Sequence, residues 1–592
     1  MVRRRVAIIG CGPRGLGLLE RLIGRAAETR RELLVHVVEP GALGVGMHLP
    51  DQPDYLLLNT VCAQLTAFTD RDMLGAPVRT VGGPSLYEWC RQRDVRIGQD
   101  GGLRIGMGGR PVEPADHLPR RLLGDYLGWA AERIVRAAPE WVEIRHHRQA
   151  AAQVRPEGAA EQVVLADGGA LLVDQAVVTV GHGDHEPGAD GAAPDGRPYP
   201  LPAAVATLPA SARVALLGVG LTGMDVLAAL TVGRGGSFHT GADGRLRYAP
   251  SGQEPTVVLV SREGRPARAR PRLTPGRRPE PARHLTAERI AELRADRPGG
   301  RLDFETDVLP LVLAEMAHRW TVLGGSGAQP DFRALLFGEP PAQARRHAAG
   351  YRRWYVDELT EDLRQARRGL GISAVKESLE VLRDHREVLR AAVDGDGLTE
   401  ASRDWFYGRF TGAANRLVIG PQLERHDELL ALLAAGVVEL GPGPAPSIER
   451  AGDGWRLSST GLADPEVVEV AEVVTGHSAP AALADSPNPL LRALTRSGRL
   501  SPVSAGRAPL GARVDRLHRA VDAGGHGQPR LFLLGPLAEG SSYYNHYVVT
   551  PNAPSRATRD AHAVAATLLD APVQGFPTTL LQDKENNDAT VQ

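Results

Sequence analysis

Arg5-Val6-Ala7-Ile8-Ile9-Gly10-Cys11-Gly12-Pro13-Arg14-Gly15-Leu16 is the stretch on which the reading of this chain turns. A continuous apolar run ends in glycines spaced as GxGxxG, and Leu18, Leu19 and Leu22 then recur on one helical face. The pattern predicts a strand over Arg5–Ile9, a turn over Gly10–Gly15, a helix over Leu16–Ala27 and a second strand over Leu33–Val38. That is one βαβ unit. Gly10 permits its tight turn, Gly12 lets a pyrophosphate approach the backbone, and Gly15 lets helix and strand pack closely. The helix N-terminus offers free N–H groups and a positive dipole end to phosphates. Glu39 follows the second strand, where a carboxylate accepts hydrogen bonds from ribose hydroxyls.

Further along, Gly218-Val219-Gly220-Leu221-Thr222-Gly223 repeats the pattern between a strand at Val214–Leu217 and a helix at Met224–Leu230. A Gly-rich insertion, Gly233–Glu254, precedes the next strand, Val257–Val260. This strand runs into Ser261-Arg262, with Arg265 close by, instead of an acid. An acid repels the 2′-phosphate of NADP and an arginine pairs with it, so Ser261 and Arg262 point to NADPH. The alternative, that Arg262 is one exposed arginine of a basic loop, stays open.

Two such units in one chain indicate a flavoenzyme, with FAD on the first unit and NADPH on the second. Val177-Val178-Thr179-Val180-Gly181-His182-Gly183 and Val473-Val474-Thr475-Gly476-His477 are apolar strands ending in Thr and Gly, and they mark the crossings between the two domains. The expected fold is α/β, with two Rossmann-like dinucleotide-binding domains and a helical insertion. Residues 1–205 form the first part of the FAD domain and 206–265 the first part of the NADPH domain. Residues 266–430 are the substrate-facing insertion, 431–470 return through the NADPH domain, 471–572 complete the FAD domain, and 573–592 are a disordered tail. Within the insertion, helix-compatible stretches occur at Ala287–Ala295, Val308–Ala317, Asp357–Arg368 and Val375–Ala392, and most of its charge runs read as solvated helix surface.

Bulk properties narrow the function. A chain of 592 residues exceeds one hydrophobic core. A net charge of −1 argues against a nucleic-acid surface. Cys11, Cys62 and Cys90 form neither a CxxC pair nor a metal spacing, which disfavours disulfide reduction and a metal centre. The N-terminal apolar run stops at Gly10, too short for a signal peptide, and no stretch is long enough to span a membrane, so a cytoplasmic protein is expected.

The chain resembles the bacterial FAD–NAD(P)-binding flavoprotein family. The resemblance is carried by Ala7–Leu16, by Leu56-Leu57-Leu58-Asn59, and by Pro119-Arg120-Arg121-Leu122-Leu123-Gly124-Asp125-Tyr126-Leu127. It extends to Gly218–Asp225 and to the late segment Gly540-Ser541-Ser542-Tyr543-Tyr544-Asn545-His546. That family includes flavin-dependent L-aspartate N-hydroxylases that make nitrosuccinate. The resemblance implies that NADPH reduces the flavin, and that a C4a-hydroperoxyflavin formed with O2 transfers oxygen to an amine, best assigned as that of L-aspartate. It places Asn59, Asn545 and His546 at the flavin as catalytic residues. Arg268, Arg270 and Arg272 are the expected partners of the substrate carboxylates. Thr475-Gly476-His477 departs from better-studied N-hydroxylases, which tend to have an Ala-Thr-Gly-Tyr segment, and no FxGxxxHxxxW pattern is present. An NADPH-dependent flavin oxidoreductase without oxygen insertion and a nucleotide-bound redox sensor stay open beside this reading. The oligomeric state is not legible.

Overall fold

The computed structural model describes residues 3–98, 101–183, 198–274, 277–477, 483, 486–503 and 510–570; the tail expected over 573–592 lies outside them. β1 (Arg4–Ile9) and β2 (Leu33–Val38) pair in parallel with Val6 opposite Val35, and α1 (Pro13–Thr29) crosses between them. Strands covered on both faces are apolar throughout, which is why these runs do not alternate. β3 (Val142–His147) extends the sheet beyond β2, and β4 (Gln175–Val178) lies on the other side of β1.

The chain then leaves to build a second parallel sheet. β5 (Arg213–Leu217), α2 (Leu221–Leu230) and β6 (Thr256–Val260) form its βαβ unit. β7 (Val438–Leu440) pairs with β6, and β8 (Glu472–Thr475) pairs with β5. The second sheet therefore runs to Thr475, past the expected boundary at 470, because Val473 and Val474 sit in register with Ala215 and Leu216. The Gly-rich segment 233–254 holds an antiparallel hairpin, Ser237–Thr240 with Leu246–Ala249, in which Phe238 packs on Tyr248.

Two late strands close the first sheet: β9 (Arg519–Val521) pairs antiparallel with β10 (Gly527–Leu533), and β10 lies parallel to β4. The C-terminal helix Arg556–Asp570 packs on α1. The architecture is thus the expected α/β class with two Rossmann-like sheets, and a helical region separates β6 from β7. Among the described residues, no helix is long and apolar enough to cross a membrane.

The helical region contains α3 (Leu309–Val322), α4 (Ala348–Arg368), α5 (Ala374–Asp384) and α6 (Arg386–Val393). The single helix expected over 375–392 is broken at His385 (φ −103°, ψ 25°). Phe304, Met316, Phe406 and Phe410 fill its core, together with Tyr543 and Tyr544 from the far end of the chain. Charges such as Arg353, Asp357, Glu361 and Arg364 on α4 lie at the surface, as expected, but several others face inward. Asp362 accepts from Arg268 Nη1, Lys376 Nζ and the Ala269 N–H, each at 2.7 Å. Glu377 pairs with Arg277 (2.7 Å) and Arg319 (3.0 Å), and Glu315 accepts the N–H groups of Arg283, His284 and Leu285. The physical reason is a strap, residues 265–274 and 277–285, that lies against the helices and, among the described residues, pairs with no strand. Side-chain carboxylates satisfy several of its backbone donors.

Burial alone would raise the Asp362 pKa, but Lys376 and Arg268 hold it down to about 2. Its pairing thus stabilises the fold above the unfolded-state value near 3.9 and is lost as pH falls towards 2. Asp362→Asn leaves two cations without their shared anion and is expected to cost about 3–5 kcal/mol at neutral pH. Thermal denaturation should show a deficit against wild type that is full above about pH 4 and shrinks below it. Equal stability of the two proteins at neutral pH refutes this.

Candidate functional site

The first cradle forms where β1 passes into α1. Gly10 has φ +84°, and a Cβ there would meet Val180 Cα at 2.9 Å, so only glycine closes this turn. At Gly12 a Cβ would stand 3.3 Å from Gly46 Cα, in the space a pyrophosphate needs. α1 starts with Pro13 and carries no acid in its first turn, which keeps its positive end open to anions. Gly15 packs directly on the Gly10 carbonyl. The Glu39 carboxylate accepts from the Cys11 N–H (2.7 Å) and the Gly41 N–H (3.0 Å), which orients it at the end of β2. It lines a cleft of ≈ 510 Å³ with Gly46, Arg93, Asp125 and Trp129. A carboxylate at the end of β2, an aromatic wall and a glycine-lined helix N-terminus are groups that could hold the adenosine diphosphate half of FAD.

The second cradle repeats the geometry. Gly218 (φ +134°) and Gly223 both pack against the Gly476 carbonyl region, while the position of a Cβ on Gly220 is open. Thr475-Gly476 thus stands to Gly218 as Thr179-Val180 stands to Gly10, which explains why both strand ends carry the same signature. Ser261 does not face a ligand: it is buried, with its hydroxyl donating to the Arg265 carbonyl and accepting from the Arg265 N–H. That expectation is corrected, because the hydroxyl is used to form a turn. Arg265 caps a neighbouring helix end by donating to the carbonyls of Ala334 and Gly338. Arg262 remains out in solvent, 83% exposed and only 3.9 Å from Glu263, and is available to a 2′-phosphate.

The remaining candidates lie on two separate segments. The backbone leading to Asn59 is fixed by donors from other elements: Arg120 Nε to the Leu57 carbonyl, and Gln422 Nε2 to the Leu58 carbonyl. Asn59 itself is exposed at a cavity of ≈ 20 Å³ that also touches Gln64, His117, Arg270 and Arg383. Asn545 and His546 lie on the segment after β10. The Arg14 guanidinium donates to the Asn545 carbonyl and stacks on Tyr547, so this segment adjoins the N-terminus of α1. Asn545 is buried, with Nδ2 donating to the Ser542 carbonyl (2.7 Å). His546 keeps 39% of its side-chain surface open although protein surrounds it, and its ring lies 4.6 Å from that of Tyr544 and 6.0 Å from that of His182. Burial, then His182, Arg386, Arg14 and Arg390, push its pKa down to about 3, so the imidazole is neutral at physiological pH.

Sequence reasoning missed Glu539. Its carboxylate accepts from the N–H groups of Tyr544 (2.9 Å) and Asn545 (3.0 Å), and lies 3.9 Å from His546 Nδ1. Burial raises its pKa to about 7 in spite of those two donors. The one available signal was an acid placed between the apolar Leu531–Leu534 strand and the Gly540–His546 motif.

The expected substrate arginines separate. Arg268 is consumed by Asp362 (2.7 Å) and Glu358 (3.2 Å), and Arg272 is exposed with its backbone tied to Ala366. The expectation for Arg268 is corrected, because its cation is already neutralised inside the insertion, whereas Arg272 is open to solvent. Arg270 does reach the cavity beside Asn59, while contacting Glu380 (3.4 Å) and the Val418 carbonyl (2.9 Å). Cys11, Cys62 and Cys90 are buried free thiols whose pKa values burial pushes up to about 12, so none offers a thiolate for disulfide exchange. Among the described residues, no group of three His, Cys, Asp or Glu side chains could hold a metal ion.

Comparison with known proteins adds to this geometry. Residues 7–183 match a family model described as FAD-NAD(P)-binding. An L-aspartate N-monooxygenase (nitrosuccinate-forming) of Streptomyces cremeus is 35% identical, the match covering 97% of this chain and 96% of that protein. A protein of the same description from Streptomyces davaonensis is 31% identical over 96% of this chain and 97% of its own length. A nitrosuccinic acid synthase of Aspergillus oryzae is 30% identical over 96% and 93%.

The exposed Arg262 gives the second cradle a direct test. Removing one charge-assisted phosphate contact is worth about 1.5–3 kcal/mol, or roughly ten- to a hundredfold. Arg262→Ala should raise KM for NADPH by that factor and leave NADH nearly unchanged. Equal effects on the two coenzymes in steady-state assays would show that Arg262 does not read the 2′-phosphate.

Proposed function

Because this chain belongs to the family of its flavin-dependent L-aspartate N-monooxygenase relatives, we propose that it N-oxygenates L-aspartate to nitrosuccinate with FAD, NADPH and O2. The observation that carries this reading is the 35% identity to such an enzyme across 97% of the chain, the helical insertion included. When bound, FAD would supply the redox chemistry, in each turnover accepting hydride from NADPH and delivering one oxygen atom of O2 to nitrogen while the other leaves as water, so that the nitro level of nitrosuccinate takes repeated turnovers.

What the protein must add is an amine with a free lone pair, because the ammonium form of an amino acid cannot attack an electrophilic oxygen. Glu539 and His546 support that task. A carboxyl group with a pKa near 7 is poised to take a proton from the substrate ammonium, and the adjacent imidazole is neutral and able to hydrogen-bond. In this reading Asn545 fixes the segment that carries His546, and Asn59 and Arg270 are assigned to substrate contact.

The reading is tested by NADPH oxidation coupled to mass spectrometry of the product. L-aspartate should give hydroxylamino, nitroso or nitro products, with asparagine and alanine poorer by about a hundredfold or more in kcat/KM, since each lacks a carboxylate. If aspartate yields only hydrogen peroxide while a basic or aromatic amine is oxygenated with tight coupling, the substrate assignment fails.

The protonation of Glu539 makes a separate prediction. Its carboxylate form predominates only above about pH 7, so kcat/KM for aspartate should rise with pH through that value. Glu539→Gln keeps an acceptor for one of the two N–H groups, Tyr544 or Asn545, but cannot take a proton, and should flatten this limb. A limb near pH 7 that persists in the variant removes Glu539 from the proton transfer.

A further inference from the structure

Arg262 does not stand alone at the end of β6. Its neighbour Glu263, 3.9 Å away, is shared with Arg416, whose Nε lies 3.2 Å from the other carboxylate oxygen. Arg416 belongs to the insertion, on the helix Thr411–Val418, and donates to the carbonyls of Leu335 (2.8 Å) and Leu336 (2.9 Å). Arg265 donates to carbonyls of the same short helix, Phe332–Phe337. The last residue of that helix, Phe337, has the guanidinium of Arg409 over its ring, 5.3 Å from the centroid. Gly412 completes the circle, because a Cβ there would stand 3.7 Å from Arg262 Nη2. Arg409 precedes Gly412 by three residues, on the π-helical turn Phe406–Phe410 that runs into the same helix, so the two are neighbours on one helical surface.

The four arginines gathered here differ in what they have left to give. Arg265 and Arg416 are buried and spent on the carbonyls of a helix end. Burial, and then Arg265, push the Arg416 pKa down to about 10, the mark of crowded positive charge. Arg262 and Arg409 are exposed, and among the described residues no carboxylate pairs with Arg409. Glu263 is thus the one carboxylate that pairs with any of the four among those residues. Gathering like charge is costly unless an anion offsets it. The place is also the right one for a particular anion: Arg262 follows β6 in the second βαβ unit as Glu39 follows β2 in the first. There a dinucleotide presents the 2′ position of its ribose.

We propose that Arg409 is a second cation for the 2′-phosphate of NADPH, so that the helical insertion shares with Arg262 the choice of coenzyme. A phosphate monoester carries about two negative charges near neutral pH and three acceptor oxygens, enough to engage two guanidinium forks at once. Gly412 leaves the approach to both arginines free of any side chain. The proposal rests on Arg262 reading the 2′-phosphate. It also gives a coenzyme role to a part of the chain expected to face only substrate.

The test uses the FAD-loaded enzyme, with calorimetric binding of adenosine 2′,5′-bisphosphate and of 5′-AMP beside KM for NADPH and NADH. Arg409→Ala should weaken adenosine 2′,5′-bisphosphate and raise KM for NADPH by about ten- to a hundredfold. 5′-AMP binding, KM for NADH, FAD content and melting temperature should stay at wild-type values, since Arg409 is exposed. Arg409→Lys, which keeps the charge and loses the planar fork, should recover part of the loss. Wild-type binding of the bisphosphate by Arg409→Ala, with Arg262→Ala defective, overturns the role of Arg409 and leaves the reading of Arg262 standing. Equal losses for the bisphosphate and 5′-AMP in Arg409→Ala overturn it too, because the contact with Phe337 then serves the shape of the site and not the phosphate. Wild-type binding in both variants removes the 2′-phosphate from Arg262 and Arg409 alike.

Discussion

The placement of Glu539, Asn545 and His546 depends on how the backbone of Ser541–Tyr547 is held. Its N–H groups at Tyr543, Tyr544 and Asn545 donate to the carboxylates of Asp394 and Glu539, and its carbonyls accept from Arg390 and Arg14. Those four charged side chains come from the insertion, the turn after β10 and the start of α1. Tyr544 is left-handed, φ 62°, a conformation that is costly for an aromatic residue by roughly 1–3 kcal/mol. It persists because donors and acceptors on both sides over-determine the path. The consequence is that His546 is carried by a segment with no regular secondary structure, yet with little freedom to move.

A second constraint ties the two nucleotide units together. Arg120 and Asp225 belong to separate motifs, and in the structure they form an ion pair that Tyr199 joins with its hydroxyl 2.5 Å from the same carboxylate. Burial disfavours the cation, and Asp225 with Tyr199 more than offsets this, so Arg120 stays charged. Arg120 also donates to the Leu57 carbonyl, two residues before Asn59. One guanidinium therefore couples the helix of the second unit to the loop of the first that bears a candidate catalytic residue. Such a pair contributes little net stability after desolvation, but removing one partner is costly, which favours a single arrangement of the two units.

The two Rossmann units were legible because close packing admits few solutions there. Gly10 and Gly218 need positive φ, Gly15 and Gly223 need a missing Cβ, and strands covered on both faces need unbroken apolar runs. The paired signatures Thr179-Val180 and Thr475-Gly476 were visible too, although their shared cause, packing on the two glycine turns, appears only in three dimensions. The hairpin Ser237–Ala249 was not legible, since short polar strands at the surface carry no burial pattern. Nor was Glu539, whose altered acidity comes from residues distant in sequence.

Charge in the insertion was the least legible feature, and the reason is general. An arginine in a sequence can be solvated, spent on an internal carboxylate or reserved for a ligand, and composition is the same in all three cases. Position beside a nucleotide motif favoured Arg268 and Arg272, yet Asp362 already neutralises the first, and the second is exposed. What separates the cases is which carboxylates the fold brings to each guanidinium, and that depends on how the segment after β6 lies against α4 and α5. Asp362, Glu377 and Glu315 each answer donors of that segment, so the acids of the insertion are legible as partners only once its path is known.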